Sequence, residues 1–251
     1  MCNRCLLELK AQYHSSEKTK AIFCWSGGKD SAYALYRVIL ENRYEVSYLL
    51  TTVNKTFQRI SMHGVREELL HAQAGALGFP LLKVEVEEGS NAEYERQMEA
   101  VLLKAKAEGI TQVIFGDIFL EDLRSYREAN LAKVGMNAVF PLWKLPTAEL
   151  VRDFIAKKFR TLLCCTNDAY LDESWLGREI NDAFLRDLPV QVDPCGENGE
   201  YHTFCFDGPV FRHSISVQRG ETVYKPLQAN MTEPSDRPVT KGFWFIDLLL
   251  S

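Results

Sequence analysis

The sequence has no apolar run long enough to cross a bilayer. Its longest apolar stretches are Ala21–Trp25, Val113–Phe115 and Phe243–Leu250, whereas a transmembrane helix needs roughly 20 such residues. The first residues also lack the apolar core of a signal peptide. These absences predict a cytoplasmic protein with no membrane partner.

A complete cysteine framework is also missing. The seven cysteines are an odd number, which does not fit a closed set of disulfides and favours a reducing cytoplasm. Cys2 and Cys5 form a Cys-x-x-Cys pair, but no second pair of Cys or His residues follows at comparable spacing. Since a structural zinc site needs a full set of ligands, this pair alone does not predict a metal centre.

The chain has no excess of positive charge, because 29 Lys and Arg face 34 Asp and Glu and leave a net charge of -5. Residues 1–165 carry a net charge of +2 and residues 166–251 one of -7. The N-terminal part is therefore the expected site of an anionic ligand, and a large nucleic-acid footprint is not expected. Hydrophobic residues at 46% and charged residues at 25% are typical of a globular protein.

Short apolar runs alternate with stretches of helical periodicity up to about residue 166. The predicted strands are Ala21–Trp25, Val46–Val53, Leu81–Val86, Gln112–Phe115, Ala138–Phe140 and Thr161–Thr166. The predicted helices are Ala32–Leu40, Val65–Leu77, Tyr94–Ala105, Asp122–Val134 and Thr147–Lys158. This alternation predicts an α/β fold with a doubly wound, mostly parallel sheet that is covered by helices on both faces.

The pattern changes after about residue 167. One predicted helix, Ser174–Leu185, is followed by Pro, Gly and short β-rich segments at Tyr201–Phe206, Val210–Gln218 and Lys241–Ile246. We therefore expect an N-terminal extension over residues 1–20, an α/β domain over 21–166 and a smaller appended α+β domain over 167–251.

A glycine turn, Ser26-Gly27-Gly28-Lys29-Asp30-Ser31, follows the first predicted strand. Ligands of open parallel sheets bind at the carboxyl ends of strands where the strand order reverses. Backbone N–H groups at two glycines, the start of a helix, two hydroxyls and the Lys29 ammonium together suit a phosphate. The spacing matches neither the Walker loop nor Gly-x-Gly-x-x-Gly. The residues alone leave open an ordinary strand-to-helix turn with solvated side chains.

The glycine turn resembles the SGGKDS signature of the PP-loop (N-type) ATP pyrophosphatases. Three further segments are similar in spacing and order to the diphthine–ammonia ligase family: Gly116-Asp117-Ile118, Pro141-Leu142-Trp143 and the run from Gly196 to Thr203. The resemblance extends to about residue 225. It implies a HUP-type, adenine nucleotide alpha hydrolase-like fold, with ATP bound in the first domain and the substrate on the side of the second.

The resemblance implies a two-step ligase reaction with ATP and Mg²⁺ as cofactors. A substrate carboxylate, on a protein side chain or a small molecule, is adenylated with release of pyrophosphate, and ammonia then displaces AMP. The implied ATP-binding residues are Ser26, Gly27, Gly28, Lys29, Asp30, Ser31, His63, Gly116 and Asp117. Lys29 and Asp30 are the implied catalytic pair, in which Lys29 offsets charge on pyrophosphate and Asp30 holds Mg²⁺.

The implied substrate-binding residues are Arg124, Glu128, Glu197, Glu200 and His202. The resemblance also places the fourth predicted strand beside the first, which would bring Gly116 and Asp117 to the nucleotide.

Two departures from the family pattern stand out. Asp122 and Tyr126 replace a tyrosine and an arginine of the family, and His202 replaces a glutamate. Diphthine carries a quaternary ammonium group, which favours acidic or aromatic surroundings, so His202 indicates a different acceptor.

Other interpretations stay open at this point. The residues alone fit solvated positions for Glu197 and Glu200, a surface position for His63, and either an anion clamp or exposed helix charges for Arg124 and Arg127. Competing functions are a PP-loop enzyme that modifies RNA or a small metabolite, and a non-catalytic adenine-nucleotide sensor. The acidic C-terminal part makes RNA the less favoured partner, and a homo-oligomer is compatible with the sequence.

Overall fold

The structure is a computed structural model that describes residues 18–57, 59–60, 64–86, 91–227 and 238–251. Sheet A contains strands β1 (Thr19–Cys24), β2 (Tyr44–Asn54), β3 (Arg59–Ile60), β4 (Leu81–Val86), β5 (Gln112–Ile114) and β6 (Asn137–Val139). Its helices are α1 (Lys29–Glu41), α2 (Glu67–Leu77), α3 (Asn91–Ala107), α4 (Glu121–Lys133) and α5 (Thr147–Ala156). Sheet B contains β7 (Arg160–Asn167), β8 (Tyr201–Asp207), β9 (Val217–Pro226) and β10 (Gly242–Leu250).

Strand β1 lies in the middle of sheet A, between β2 and β5, and pairs with both in parallel. Its apolar residues pack into the core on both faces of the sheet, because successive strand residues point to opposite sides. Phe23 belongs to a core cluster with Leu35 of α1 and Leu69 of α2, whereas Ile22 belongs to a second cluster on the other face. Helices thus cover both faces, and the doubly wound, mostly parallel fold predicted from the sequence is confirmed.

The order of strands reverses at β1, since the chain moves from β1 to β2 on one side and later to β5 and β6 on the other. The resemblance places the fourth predicted strand, which begins at Gln112, beside the first. The pairing of Ile22 with Val113 confirms this prediction. This arrangement places the end of β1 at the position where open α/β sheets bind ligands.

The prediction that Thr161–Thr166 is the last strand of the parallel series is wrong. This segment forms β7, which pairs antiparallel with β8 and β10 in sheet B. Its residues are buried from Thr161 to Asn167. A strand that is buried on both faces has a continuous apolar sequence, so its sequence does not distinguish a parallel from an antiparallel sheet. Sheet B therefore begins before residue 166, while the domain bounds 21–166 and 167–251 remain a prediction.

The predicted helix Ser174–Leu185 is also wrong. A short 3-10 turn over Glu173–Trp175 ends before Gly177, which has a φ of 70°. A new helix, α6 (Asp182–Asp187), then begins with the Asn181 side chain accepting a hydrogen bond from Phe184 N. The predicted strand Val210–Gln218 begins only at Val217. Local caps and turns, which periodicity does not reveal, set these boundaries.

An ion-pair cluster joins the two sheets. Asp247 of β10 accepts hydrogen bonds from Arg59 Nη1 at 3.0 Å and from Arg66 Nη2 at 2.6 Å. These charges and neighbouring hydrogen bonds hold the pKa of the Asp247 carboxyl below its usual value. Within the described ranges, no helix combines the length and the apolar character needed to cross a membrane.

Candidate active site

The glycine turn connects the end of β1 to the start of α1. Gly27 has a φ of 83°, and a Cβ at this position would lie 2.9 Å from Gln73 Oε1, so both conformation and space favour glycine. Gly28 precedes the first residue of α1 in an extended conformation and makes no side-chain cap hydrogen bond. Ser31 Oγ donates to Gly28 O at 2.9 Å, and Gly28 N donates to Ser26 Oγ at 3.3 Å. The loop and the positive end of α1 form a compact turn whose chemistry suits an anion.

Lys29 is the first residue of α1 and is only 4% exposed. Its Nζ lies 2.7 Å from Asp30 Oδ2 and also donates to the Cys195 carbonyl, with the Tyr201 ring centre 5.3 Å away. Burial lowers the pKa of Lys29, but the facing Asp30 carboxylate outweighs burial and leaves the pKa above its usual value. The site therefore contains a fixed positive charge.

The C-terminal region completes the glycine turn through backbone and hydroxyl contacts. Thr203 Oγ1 accepts a hydrogen bond from Lys29 N at 3.0 Å, and Cys205 N donates to Gly27 O at 2.8 Å. Both residues belong to β8. Contacts with β8, a strand more than 170 residues later in the chain, thus hold the turn in place.

A cavity of about 650 Å³ opens beside this turn. The predicted site residues that line it are Ser26, Lys29, Asp30, Ser31, Gly116, Asp117, Glu197 and His202. The remaining wall is largely aromatic and aliphatic, and includes Tyr94, Phe115 and Tyr126. A cavity with a few convergent polar groups among apolar ones is the usual form of a small-molecule site.

Gly116 and Asp117 lie at the end of β5. A Cβ on Gly116 would lie 3.1 Å from Asp30 C and from Ser31 N, so the backbone just after β5 lies close to the glycine turn and leaves little room for a side chain. The Asp117 carboxylate pairs with Arg127, whose Nε lies 2.7 Å from Oδ2. This pair places one guanidinium group on the cavity wall.

Glu197 reaches the same cavity from the C-terminal region. Its Oε1 accepts hydrogen bonds from Ile118 N at 2.8 Å and Phe119 N at 3.4 Å, directly after Gly116-Asp117. Burial, with a smaller contribution from Asp30, raises the pKa of the Glu197 carboxyl to about 7. This carboxyl can therefore change its protonation state near neutral pH.

Glu200 is separated from this group. It is 1% exposed, and its carboxylate accepts hydrogen bonds from Asp193 N and Asn198 N, both at 3.0 Å. These contacts hold the turn that carries Glu197. Glu200 is absent from the cavity wall, so the structure does not bring the two glutamates together.

Arg124 and Glu128 also lie away from the cavity lining. They form an ion pair at 2.8 Å along α4, and the Arg124 guanidinium lies 4.6 Å from the Trp143 ring centre. Arg127 is the arginine of α4 that contributes to the cavity. His63 and the Cys2–Cys5 pair lie outside the described residues.

Among the residues that the sequence prediction missed, Thr203 and Gln73 contact the glycine turn through their side chains. Thr203 lies within the late motif, so that motif offered a signal for it. Gln73 lies on α2 and bonds to Trp25, Gly27 and Cys205, and no motif marks it. The described part of the chain contains no cluster of three or more His, Cys, Asp or Glu that could hold a metal ion. The Asp30 carboxylate lies on the cavity wall beside the turn, where a metal that arrives with phosphates would meet it.

Comparison with known proteins agrees with this architecture. Residues 19–138 match the family model described as diphthamide synthase N-terminal domain, and residues 146–231 match the one described as diphthamide synthase C-terminal domain. The chain is 29% identical to the diphthine–ammonia ligase of Rattus norvegicus and 26% identical to that of Homo sapiens, each over 232 residues. Each alignment covers 81% of this chain and 85% of the relative. The chain therefore belongs to the diphthamide synthase family, as a divergent member.

Proposed function

We propose that the protein is an ATP-dependent ligase that adenylates a carboxylate, releases pyrophosphate and transfers ammonia to the adenylate. Its relatives are named diphthine–ammonia ligases, which combine a carboxylate and ammonia in an amide. The observation that carries the proposal is the glycine turn: it lies at the reversal point of sheet A, starts α1 and opens into a cavity of about 650 Å³.

The glycine turn is the proposed site for the β- and γ-phosphates of ATP. Backbone N–H groups at the start of α1 and the charged Lys29 ammonium concentrate positive potential on one side of the cavity. Negative charge grows on pyrophosphate as the bond to the α-phosphorus breaks, so preformed donors at this point lower the barrier. Lys29 is then a catalytic residue that acts by charge and not by covalent chemistry.

Asp30 is the proposed ligand for Mg²⁺ bound with ATP. Mg²⁺ is often held by one or two carboxylates together with substrate phosphates, and the Asp30 side chain is 30% exposed on the cavity wall. The ion would supply additional charge neutralisation for the phosphates. The Lys29–Asp30 contact of 2.7 Å keeps both groups in place beside the turn.

The part of the cavity wall around Glu197 is the proposed site for ammonia and the acceptor. Glu197 offers a carboxylate that can bind an ammonium ion and accept a proton from it near neutral pH. Gly116 and Asp117 lie between this carboxylate and the glycine turn, with Arg127 available for the acceptor carboxylate or AMP. The proposed reaction thus uses the glycine turn for the leaving group and Glu197 for the nucleophile.

His202 lies on the cavity wall and favours an acceptor other than diphthine. An imidazole does not supply the fixed negative charge that would offset the burial of a quaternary ammonium group. A carboxylate on a small metabolite fits the same chemistry without that requirement. The reaction type and the acceptor are therefore separate parts of the proposal.

Product analysis tests the reaction type. The protein is incubated with ATP, Mg²⁺ and ammonium, with diphthine-bearing elongation factor or a panel of small carboxylic acids as acceptors, and nucleotides are separated by chromatography. We expect AMP and pyrophosphate in equal amounts, because the turn lacks the Walker spacing that presents a γ-phosphate. Stoichiometric ADP and phosphate would refute the proposal. Nucleotide binding without turnover on any acceptor would favour a sensor.

A further inference from the structure

Gln73 of α2 is a fully buried amide at the centre of the glycine-turn contacts. Its Oε1 accepts a hydrogen bond from Trp25 Nε1 at 2.9 Å, and its Nε2 donates to Gly27 O at 2.9 Å and to Cys205 O at 2.7 Å. An indole N–H only donates and a carbonyl only accepts. These partners therefore fix the orientation of the amide, with Oε1 toward Trp25 and Nε2 toward the carbonyls of Gly27 and Cys205. The amide thus connects α2, the turn and β8.

The Gly27 carbonyl is held from two sides, by Gln73 Nε2 and by Cys205 N. The described chain contains no cis peptide bond, and in a planar trans peptide the carbonyl and the following N–H point in opposite directions. Because the Gly27 carbonyl points toward α2 and β8, the Gly28 N–H points the other way. There it meets Ser26 Oγ at 3.3 Å, and Ser26 lines the cavity.

A peptide between two glycines has little intrinsic preference for one orientation, since glycine adopts positive and negative φ with similar ease. A flipped Gly27–Gly28 peptide would turn a carbonyl oxygen toward an incoming phosphate and repel it. The two N–H groups that bind the Gly27 carbonyl oppose this flip. Of these, Cys205 N belongs to the backbone, so Gln73 is the side chain that sequence change can remove.

We infer that Gln73 is a positioning residue for phosphate binding, which acts by holding the Gly27–Gly28 peptide with its N–H directed away from α2 and β8, toward Ser26 on the cavity wall. Gln73 is absent from the cavity lining, so it acts through the turn and not by touching the nucleotide. The inference rests on the proposed binding of ATP at this turn. It assigns a role in ligand binding to a helix that the signature does not include.

The variant Gln73→Met tests this role, because it keeps the length of the side chain and removes its hydrogen-bonding groups. Calorimetry gives the Kd values of the parent and the variant for ATP, inorganic pyrophosphate and adenosine. We expect ATP and pyrophosphate to bind about tenfold more weakly, as for loss of a charge-assisted contact, while adenosine binds as in the parent. Equal weakening of all three ligands would indicate a merely structural role and overturn the inference.

The matched control is Gln97→Met on α3. The Gln97 side chain is only part-buried, and its Nε2 donates to Glu93 Oε1 at 2.9 Å, away from the turn. The control should retain the parent affinities. Trp25→Phe removes the indole hydrogen bond but leaves both donors of Gln73 in place, so it should bind ATP more tightly than Gln73→Met does.

A spectroscopic readout follows the same contact without a nucleotide. The indole N–H resonance of Trp25 is assigned by its absence in Trp25→Phe, and it should move upfield in Gln73→Met when its acceptor is lost. If Gln73→Met does not fold, Gln73→Glu keeps the volume, and its buried carboxyl, which favours the protonated form, donates one bond at most. That variant should then bind ATP and pyrophosphate more weakly than the parent while it binds adenosine as the parent does, and parental affinity for ATP and pyrophosphate would overturn the inference.

The outcomes separate the two hypotheses. A parent chain that binds pyrophosphate but no ATP would refute the proposed function, and a selective loss of pyrophosphate binding in Gln73→Met would still support the role of Gln73. A parent that binds neither ligand would refute both. A folded Gln73→Met variant with parental affinity for ATP and pyrophosphate would refute the role of Gln73 alone.

Discussion

The two regions of the molecule contribute different groups to one cavity. The sheet A side supplies the start of α1 and two ion pairs, Lys29–Asp30 and Arg127–Asp117. The C-terminal side supplies acceptors and negative charge, with the Cys195 carbonyl, Glu197 and the Thr203 hydroxyl. The net charge is +2 for residues 1–165 and -7 for residues 166–251. The comparison teaches that the signature motif provides the groups proposed to bind phosphate, whereas the distant region contacts that motif and holds it in position.

Removing either charged side chain of the Lys29–Asp30 pair in the glycine turn is the strongest way to break this comparison. Lys29→Ala and Asp30→Ala should each lower the rate of pyrophosphate release by about 100- to 1000-fold, as expected for loss of a preformed charge-stabilising contact of about 2.7–4 kcal/mol. A coupled pyrophosphate assay measures the rate on the acceptor that supports turnover of the parent. Rates within a few-fold of the parent would contradict the catalytic assignment.

A matched lysine separates charge at the site from the loss of a long side chain. Lys106 also donates from Nζ to a backbone carbonyl, that of Val134, in a part-buried hydrogen bond of 2.6 Å. It is absent from the cavity lining. Lys106→Ala should therefore keep the parental rate. An equal loss in Lys106→Ala and Lys29→Ala would show that destabilisation, and not the site charge, explains the effect.

The acidic wall is tested by Glu197→Gln, which keeps the acceptor for Ile118 N and removes the charge. Since the pKa of Glu197 is about 7, the carboxylate is ionised above that pH and protonated below it. We expect the KM for ammonium to rise by about tenfold at pH 8, equivalent to the loss of a charged hydrogen bond of about 1.5 kcal/mol. We also expect the rate of the parent to change as the pH passes through about 7, and the rate of the variant to lack this change. An unchanged pH profile would exclude Glu197 from the ammonia step.

The connection between the regions is tested by Asp247→Asn. The pKa of Asp247 is lowered in the folded state, so its stabilising contribution is complete above the ordinary carboxyl pKa and is lost as pH falls through the folded value. The pair is partly exposed, and solvent screening limits the expected loss at pH 7 to about 1–2 kcal/mol. A Tm lower by about 2–8 °C in thermal denaturation would agree with this loss.

The exposed pair on α4 is the control for that experiment. Arg124 and Glu128 form an i, i+4 ion pair at 2.8 Å with substantial exposure, and such pairs contribute only about 0.3–0.5 kcal/mol. Glu128→Gln should therefore change the Tm much less than Asp247→Asn does. Equal effects would mean that Asp247 does not hold the two sheets together.

The sequence predicted those parts of the site that depend on short-range order. Ser26 to Ser31 occupy consecutive positions between a strand and a helix, so their proximity follows from the chain itself. Gly116 could be placed beside them because the fourth strand was expected next to the first, and β5 does pair with β1. The close approach of Gly116 to Asp30 and Ser31 then follows from strand order.

The parts that the sequence did not reveal depend on long-range partners. Thr161–Thr166 is apolar enough to be central in either sheet, so periodicity could not assign its partners. Glu197 and Glu200 are three residues apart and looked equivalent, yet one accepts from Ile118 N and the other from Asp193 N. Gln73 bonds to Cys205, 132 residues away, and only the packing of α2 against β8 reveals that contact.

The smallest expected effect concerns acceptor choice on the acidic wall, where His202 lies on the cavity. A glutamate at this position would face a quaternary ammonium group with a full charge, which is worth about 1 kcal/mol in a solvated setting at about 4 Å. His202→Glu should therefore raise kcat/KM for diphthine-bearing elongation factor by about fivefold without improving the use of other carboxylates. His202→Gln, which has a similar size and no charge, is the matched control and should show no gain. Amide formation is measured by the incorporation of labelled ammonium into the factor. Efficient amidation by the parent, with no gain in His202→Glu, would contradict the role of position 202 and leave diphthine as the acceptor.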